Sequence, residues 1–323
     1  MIAGMTGNRT ELVAYAREAI RNGSKSFAAA SRLFDRTTRE KVWLLYAWCR
    51  RCDDLADAQD HGGALGDQAG AQDRLATIRD LTAKAFAGEA TGDPAFDAFG
   101  LVARETGITP AMAEDVIAGF ALDAADWRPR SEGDLMRYCF HVAGAVGVMM
   151  AVVMGVAPSD EDTRAQDTLD RACDLGLAFQ LANIARDIKE DNAAGRCYLP
   201  AEWLAEADIP PGMHMKPSYR RELVAISARL VALARVHERS SRIGAARLGF
   251  RQRWAVLSAA GIYGAIATEV ARRGEHAWDQ RVFTSRPAKL GFVLKAFLQA
   301  IAPPPLTAKP EWNRRQLAAQ AAG

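Results

Sequence analysis

Asp53 and Asp57 stand in a stretch, YAWCRRCDDLAD over 46–57, that leaves two carboxylates few places to go. At 3.6 residues per turn, Tyr46, Arg50, Asp53 and Asp57 fall along one helical stripe. Leu44, Leu45, Ala47, Trp48, Cys49, Cys52, Leu55 and Ala56 surround that stripe, so little of the helix is free to face water. Carboxylates one turn apart, about 5.4 Å along the axis, can chelate one hard divalent cation or take one each. Water and phosphate would complete the octahedral shell that Mg2+ prefers. The plainer alternative is a solvated acidic face.

A second stripe lies in NIARDIKED, where Asn183, Asp187 and Asp191 follow Gln180 at helical spacing. Leu177, Leu181, Ile184 and Ile188 repeat beside it, so one side of this helix packs while the other presents oxygens. Were the two stripes to face each other, four carboxylates would repel and desolvate one another and some pKa values would rise, unless cations neutralised them. D-x-x-x-D together with N-x-x-x-D-x-x-x-D predicts a diphosphate–metal grip far more specifically than either half.

The 323 residues are 49% hydrophobic, enough for one large core. A net charge of +2 speaks against a dedicated nucleic-acid surface. Five cysteines without a regular framework or a secretory leader predict a reduced, cytoplasmic protein. Cys49 and Cys52 spell C-x-x-C inside a helical pattern with no second pair, which reads as core. The five histidines are scattered, without an H-x-x-x-H pair. The longest apolar run, Val142 to Val156, is fifteen residues, short of the about 20 a membrane span needs. Peripheral attachment to the inner face of the cell membrane stays open.

Taken in order, the chain reads as helices. One ends at Gly23 as a C-cap; Ser24, Lys25 and Ser26 then offer either a phosphate contact or an N-cap. Phe27–Phe34 is a short helix, and Thr37 with Glu40 forms a capping box for the acidic helix. Residues 60–73 form a glycine-rich surface loop. Helices follow near 72–87, 95–105 and from Thr109-Pro110 to about 126, then a long one from Glu132, capped by Ser131 and Asp134, to about Gly155. Gly144, Ala145, Gly147, Met149, Met150 and Met154 could shape an apolar channel there, or be ordinary core. Pro158-Ser159 caps the helix bearing the second stripe, and NAAGRCYLP puts Arg196 and Tyr198 just beyond it. Further helices are predicted near 219–243, 251–273 and 287–301, and a disordered tail over 302–323. Period-2 alternation and fixed-period repeats are absent, so the fold class is all-α.

SKSF, YAWCRRCDDLAD, GFALD, YCFHVAGAVG, FQLANIARDIKED with GRCYLP, and VFTSRPAK resemble, in order and spacing, the squalene and phytoene synthase family. The likeness runs from about Ser24 to Lys289 and is nearest the bacterial phytoene synthases. It implies a single-domain isoprenoid-synthase helical fold over 1–301 with a central active-site cleft. It also implies head-to-head condensation of two geranylgeranyl diphosphates through prephytoene diphosphate to phytoene, a prenyl transfer of carotenoid biosynthesis. Carried over residue by residue, Asp53, Asp57, Asn183, Asp187 and Asp191 would bind Mg2+, or Mn2+ in its place. Ser24, Lys25, Arg50, Arg196 and Tyr198 would contact diphosphate, with Arg281, Arg286 and Lys289 as further candidates. Tyr46, Tyr138, Gln180 and Tyr263 would line the reacting centre, with Arg50 at its edge. Phe27, Val146, Gly147, Met150, Leu175 and Gly176 would line the tail channels. Glu190 precedes Asp191, so either could ligate at that turn; Cys197 and Trp127 depart from the pattern the resemblance leads one to expect.

An allylic diphosphate leaves when cations neutralise its charge, and the resulting carbocation must be kept from water. No G-x-G-x-x-G follows a strand, so no nicotinamide is expected, which favours phytoene or dehydrosqualene over squalene as product. The alternative readings are the same reaction on farnesyl diphosphate, giving dehydrosqualene or squalene, and a non-catalytic relative acting as an assembly factor.

Overall fold

Apolar periodicity places the helices, several of them started by a capping side chain, and the computed structural model describes residues 8–59, 70–125, 127–302 and 312–319. No strand occurs among the described residues. The elements are α1 (Arg9–Gly23), α2 (Lys25–Ser31), α3 (Arg36–Ala56), α4 (Ala71–Ala87), α5 (Pro94–Thr106), α6 (Pro110–Ala124), α7 (Glu132–Cys139), a π-helical turn (Phe140–Gly144), α8 (Ala145–Val153), α9 (Thr163–Ala193), α10 (Ala201–Glu206), α11 (Arg220–Ala245), α12 (Phe250–Arg273), α13 (Arg286–Ile301) and α14 (Arg314–Ala319). Most of the predicted loop 60–73 lies outside the described residues.

Several boundaries differ from the sequence reading. Asp35, not Thr37, caps α3: its carboxylate accepts from Thr38 N at 2.9 Å, while Glu40 is drawn away to Arg9 and Arg36. Asp162, not Ser159, caps α9, accepting from the backbone N–H groups of Arg164 and Ala165. Gly23 is the last helical residue of α1, and Ser24 follows in extended backbone. Ser131 caps α7 as expected, but the long helix is interrupted by the π-helical turn and ends at Val153. Within the stretch expected to be a disordered tail, α14 is docked. Leu317 is fully buried, Arg314 pairs with Asp170 at 2.8 Å, and Trp312 donates to Glu132 at 3.0 Å.

The chain forms two compact units. The first, residues 1–125 and 148–169, packs α3 against α1, α4, α5 and α6. Trp48 of α3 stacks on Phe99 with ring centroids 4.2 Å apart, and Phe86 meets Phe99 edge-on. At Gly100 a side chain would strike the Ala85 carbonyl, so glycine sets how closely α5 approaches α4. Arg9 ties α1 to α3 and α5 by pairing with Glu40 and Glu105.

The second unit comprises residues 126–147 and 170–323. Side chains at Gly147 or Gly176 would collide with the Ala172 and Ala143 carbonyls, so these glycines let the segment after α7 lie backbone-to-backbone on α9. α11 is clamped to α9 by a polar knot. The fully buried His237 and Ser240 both bond to Asp174, and Arg171 donates to Ser240 at 2.7 Å. Two segments, Glu132–Val153 and Phe250–His276, have the length and hydropathy of a membrane span. The first is two-thirds buried in its most apolar window, as a core helix would be.

Replacing Asp174 with Ala strips two buried donors of their acceptor, a loss of about 2–4 kcal/mol. Urea denaturation of Asp174→Ala should show it; a midpoint matching wild type would mean that the knot is not holding α11.

Candidate active site

The first acidic stripe is built by the end of α3. Asp53 sits in the last turn, and Asp57 is the residue just past the helix, its N–H donating to the Asp53 carbonyl at 3.0 Å. Ala58 at φ +50° then stops the helix, so Asp57 belongs to the helix end rather than to a continuing helical face. Arg50 donates to Asp53 at 2.6 Å and lies 3.9 Å from the buried Asp54. The Asp53 side chain keeps 40% exposure, yet burial pushes its carboxyl up to about 6; Arg50 opposes the shift, and Asp57, Asp54 and Asp123 add to it. Asp123 closes the GFALD motif.

Tyr46 lies one turn before Arg50, and burial raises its phenol above the ordinary range with Arg50 opposing. A side chain at Gly23 would meet its hydroxyl, so space rather than a left-handed backbone favours glycine there. Phe27 reaches Tyr46 with centroids 5.6 Å apart. Ser24 caps α2, accepting from Phe27 N at 3.3 Å; the Lys25 side chain lies outside the described residues. Burial pushes the Cys49 thiol up to about 12 and Cys52 well above its ordinary value, so neither gains thiolate character from its surroundings.

The second stripe occupies the last turns of α9. Asp187 is gripped from two sides. Arg281 donates to both of its oxygens at 2.9 Å, and Arg186 forks onto the same carboxylate. Burial works against ionisation of Asp187, but the two guanidinium groups prevail and hold it below the usual carboxylate range. Arg281 is positioned by Trp278, whose buried ring donates to the Ala185 carbonyl at 3.0 Å. Asp191 is partly buried, whereas Glu190 is exposed, which favours Asp191 as the inward group. Asn183 Oδ1 is buried and accepts no hydrogen bond from the described residues.

After α9, Gly195 at φ +76° reverses the chain, and Arg196 N donates back to the Asp191 carbonyl at 2.8 Å. This turn lays Tyr198 against Tyr138 at 4.7 Å, and Trp127 also stacks with Tyr138, at 5.7 Å. Trp127 thus extends the pair to three rings. Tyr263 stacks on Phe179 at 4.0 Å, and burial raises its phenol, opposed by Arg186. Both rings border a pocket of about 420 Å3 lined by α9, α11, α12 and α13. Phe27, Val146, Gly147, Met150, Leu175 and Gly176 do not line it; the last five lie on α8 and α9, Gly176 buried and the other four partly buried.

Sequence reasoning overlooked Arg186, Asp54 and Phe179. Arg186 adjoins Asp187 within the motif, but it falls off the Gln180–Asn183–Asp187–Asp191 stripe that the helical period picked out. Among the described residues no three His, Cys, Asp or Glu side chains are gathered as a metal cluster. The donors nonetheless suit a hard cation. They are carboxylate and amide oxygens, among them an orphaned acceptor at Asn183 and the Asp53 carboxyl, raised by burial and, to a lesser degree, by its acidic neighbours.

Residues 20–288 match the profile of the squalene/phytoene synthase family. A phytoene synthase of Pseudescherichia vulneris is 47% identical, over 90% of this chain and 92% of the relative. A 15-cis-phytoene synthase of Pantoea ananas is 45% identical, over 91% of this chain and 94% of the relative. Among solved structures, a dehydrosqualene synthase in complex with ligand superposes with a TM-score of 0.77 at 27% identity, covering 89% of this chain and 96% of the other.

Because the Asp53 pKa is raised in the fold, ionising it destabilises the metal-free protein, and stability through this group rises as pH falls through about 6. Asp53→Asn should therefore be more stable than wild type at pH 7–8 in chelator, the difference closing by the ordinary value near pH 3.8. Parallel pH profiles of urea midpoints for the two proteins would refute it.

Proposed function

The chain belongs to the squalene/phytoene synthase family, and from that membership we propose that it joins two geranylgeranyl diphosphates head to head to make phytoene. The observation that carries this reading is near-full-length likeness to bacterial phytoene synthases in a chain that keeps both acidic stripes beside guanidinium groups. Asp53, Asp57, Asn183, Asp187 and Asp191 would hold Mg2+, with Mn2+ as a substitute. Bound there, the ions supply charge neutralisation for a departing diphosphate.

The chain's own groups do the rest. Arg50, Arg196, Arg281 and Lys25 offer cations to the diphosphate oxygens, and the Ser24 and Tyr198 hydroxyls offer donors. The first ionisation breaks the C1–O bond of one substrate and releases its diphosphate. The double bond of the second substrate attacks the allyl cation, and loss of a proton closes a cyclopropane that keeps the second diphosphate. Ionisation of that diphosphate, rearrangement and loss of another proton give phytoene, so no reductant is consumed. Faces of Tyr46, Phe27, Tyr138 and Tyr263 can steady the cations at roughly 0.5–2 kcal/mol each. Gln180, on the same stripe as Asn183, can orient the reacting ends.

The product is a hydrocarbon without a polar group, so the enzyme would work in the cytoplasm as a peripheral protein on the inner face of the cell membrane. The same machinery acting on farnesyl diphosphate is the second reading, since the solved relative that superposes at 27% identity is a dehydrosqualene synthase.

Purified protein with Mg2+ should convert geranylgeranyl diphosphate to a C40 hydrocarbon, identified by mass, well ahead of any C30 product from farnesyl diphosphate. Asp53→Ala and Asp187→Asn should each lower turnover by about 10²-fold or more while helical circular dichroism is kept. Near-normal turnover in either variant would remove that residue from the metal set.

A further inference from the structure

We propose that the outer face of α13 docks the protein on an anionic lipid bilayer. One side of this helix is firmly attached. Ala296 and Ala300 pack into a core with Ala245 and Leu257, Trp254 donates to the Val293 carbonyl at 2.8 Å, and Arg253 donates to the Ala300 carbonyl at 2.9 Å. The other side is bare. Leu290, Leu294, Leu298 and Ile301 are 71, 63, 61 and 60% exposed, and at 100° per residue they lie within roughly 80° of the helix circumference. Phe283, just before the helix, is 79% exposed, and Phe250, packed on Phe297 at the far end, is 42% exposed. A contiguous row of large apolar side chains on a fixed helix is a contact surface awaiting a partner.

Charge identifies the partner. No Asp or Glu occurs from Gln280 to Ile301, while Arg286, Lys289 and Lys295 flank the leucines and Arg251 is exposed beside Phe250. An apolar stripe on a helix whose own charges are all cations is the composition of a helix lying in the headgroup layer of an anionic membrane. A second copy of this chain fits poorly, because a two-fold contact through this face would set the same cations against one another. The inference rests on the proposed reaction for its purpose. α13 also lends Phe292, Lys295 and Gln299 to the wall of the 420 Å3 pocket, so one helix would touch lipid outside and an amphipathic cavity inside. A hydrocarbon leaving such an enzyme would find bilayer, not water.

Flotation of the full-length protein with vesicles tests it. The wild type should float with phosphatidylcholine–phosphatidylglycerol vesicles, and salt should weaken that binding. Leu294→Glu/Leu298→Glu should bind at least tenfold more weakly, as should Leu294→Ser/Leu298→Ser, which guards against misfolding of the charged pair. Lys295→Gln should lose about fivefold on anionic vesicles only, and Met213→Glu, at an exposed apolar site elsewhere, should lose nothing. Wild type that stays unbound, or leucine variants that float as well as wild type, would overturn the proposal. So would concentration-dependent self-association, seen by sedimentation velocity, that the leucine variants abolish. Turnover of detergent-dispersed geranylgeranyl diphosphate is read separately. Its absence would sink the reaction assigned above, whereas normal turnover without vesicle binding would sink only the docking face.

Discussion

A carboxylate taken out of water must be answered by positive charge, and the fold is arranged around that demand. On α9 the answer is internal. Arg186 comes from the neighbouring position, and Arg281 is brought by a loop that Trp278 pins to the Ala185 carbonyl. On α3 the answer is incomplete: Arg50 reaches Asp53, but burial, with Asp57, Asp54 and Asp123 adding to it, outweighs that one guanidinium. The two stripes therefore differ in electrostatic character, one balanced and the other in deficit. Cation affinity should concentrate at the stripe in deficit, while the balanced one must first let go of its arginines.

The helices bearing these groups hold their place through features unrelated to charge. Trp48 stacked on Phe99 fixes α3 one turn before the acidic residues. The knot of Asp174, His237, Ser240 and Arg171 fixes α9 about three and a half turns before Asp187. The acidic turns thus lie at the ends of helices whose middles are anchored by packing, which leaves only short lever arms between anchor and carboxylates.

Much of this was legible beforehand. The 3.6-residue period exposed α3, α9 and the all-α class, because apolar stripes along single helices are local signals. The motif spacing carried the family, and homology carried the choice of reaction. Long-range partnerships were hidden. Arg281 lies 94 residues from Asp187, and the Trp127–Tyr138–Tyr198 stack joins residues separated by a chain reversal at Gly195. Capping was misread where two candidates competed. Asp35 won over Thr37 because Glu40, the second half of the supposed box, was already committed to arginines. α14 escaped because its anchors, Trp312, Arg314 and Leu317, are spaced too sparsely to show a period.

The π-helical turn at Phe140–Gly144 has a consequence for evolution as well as geometry. One extra residue in a helical repeat slips the angular phase by roughly 100°, so Tyr138 and the segment carrying Gly147 obey separate azimuths although they belong to a nearly continuous rod. Sequence drift before the slip can retune the aromatic stack without rotating the glycine seam against α9. A lineage that lost the added residue would straighten the rod and swing one set of side chains away from its neighbours, which makes this short dislocation a point where insertion and deletion should be strongly selected against.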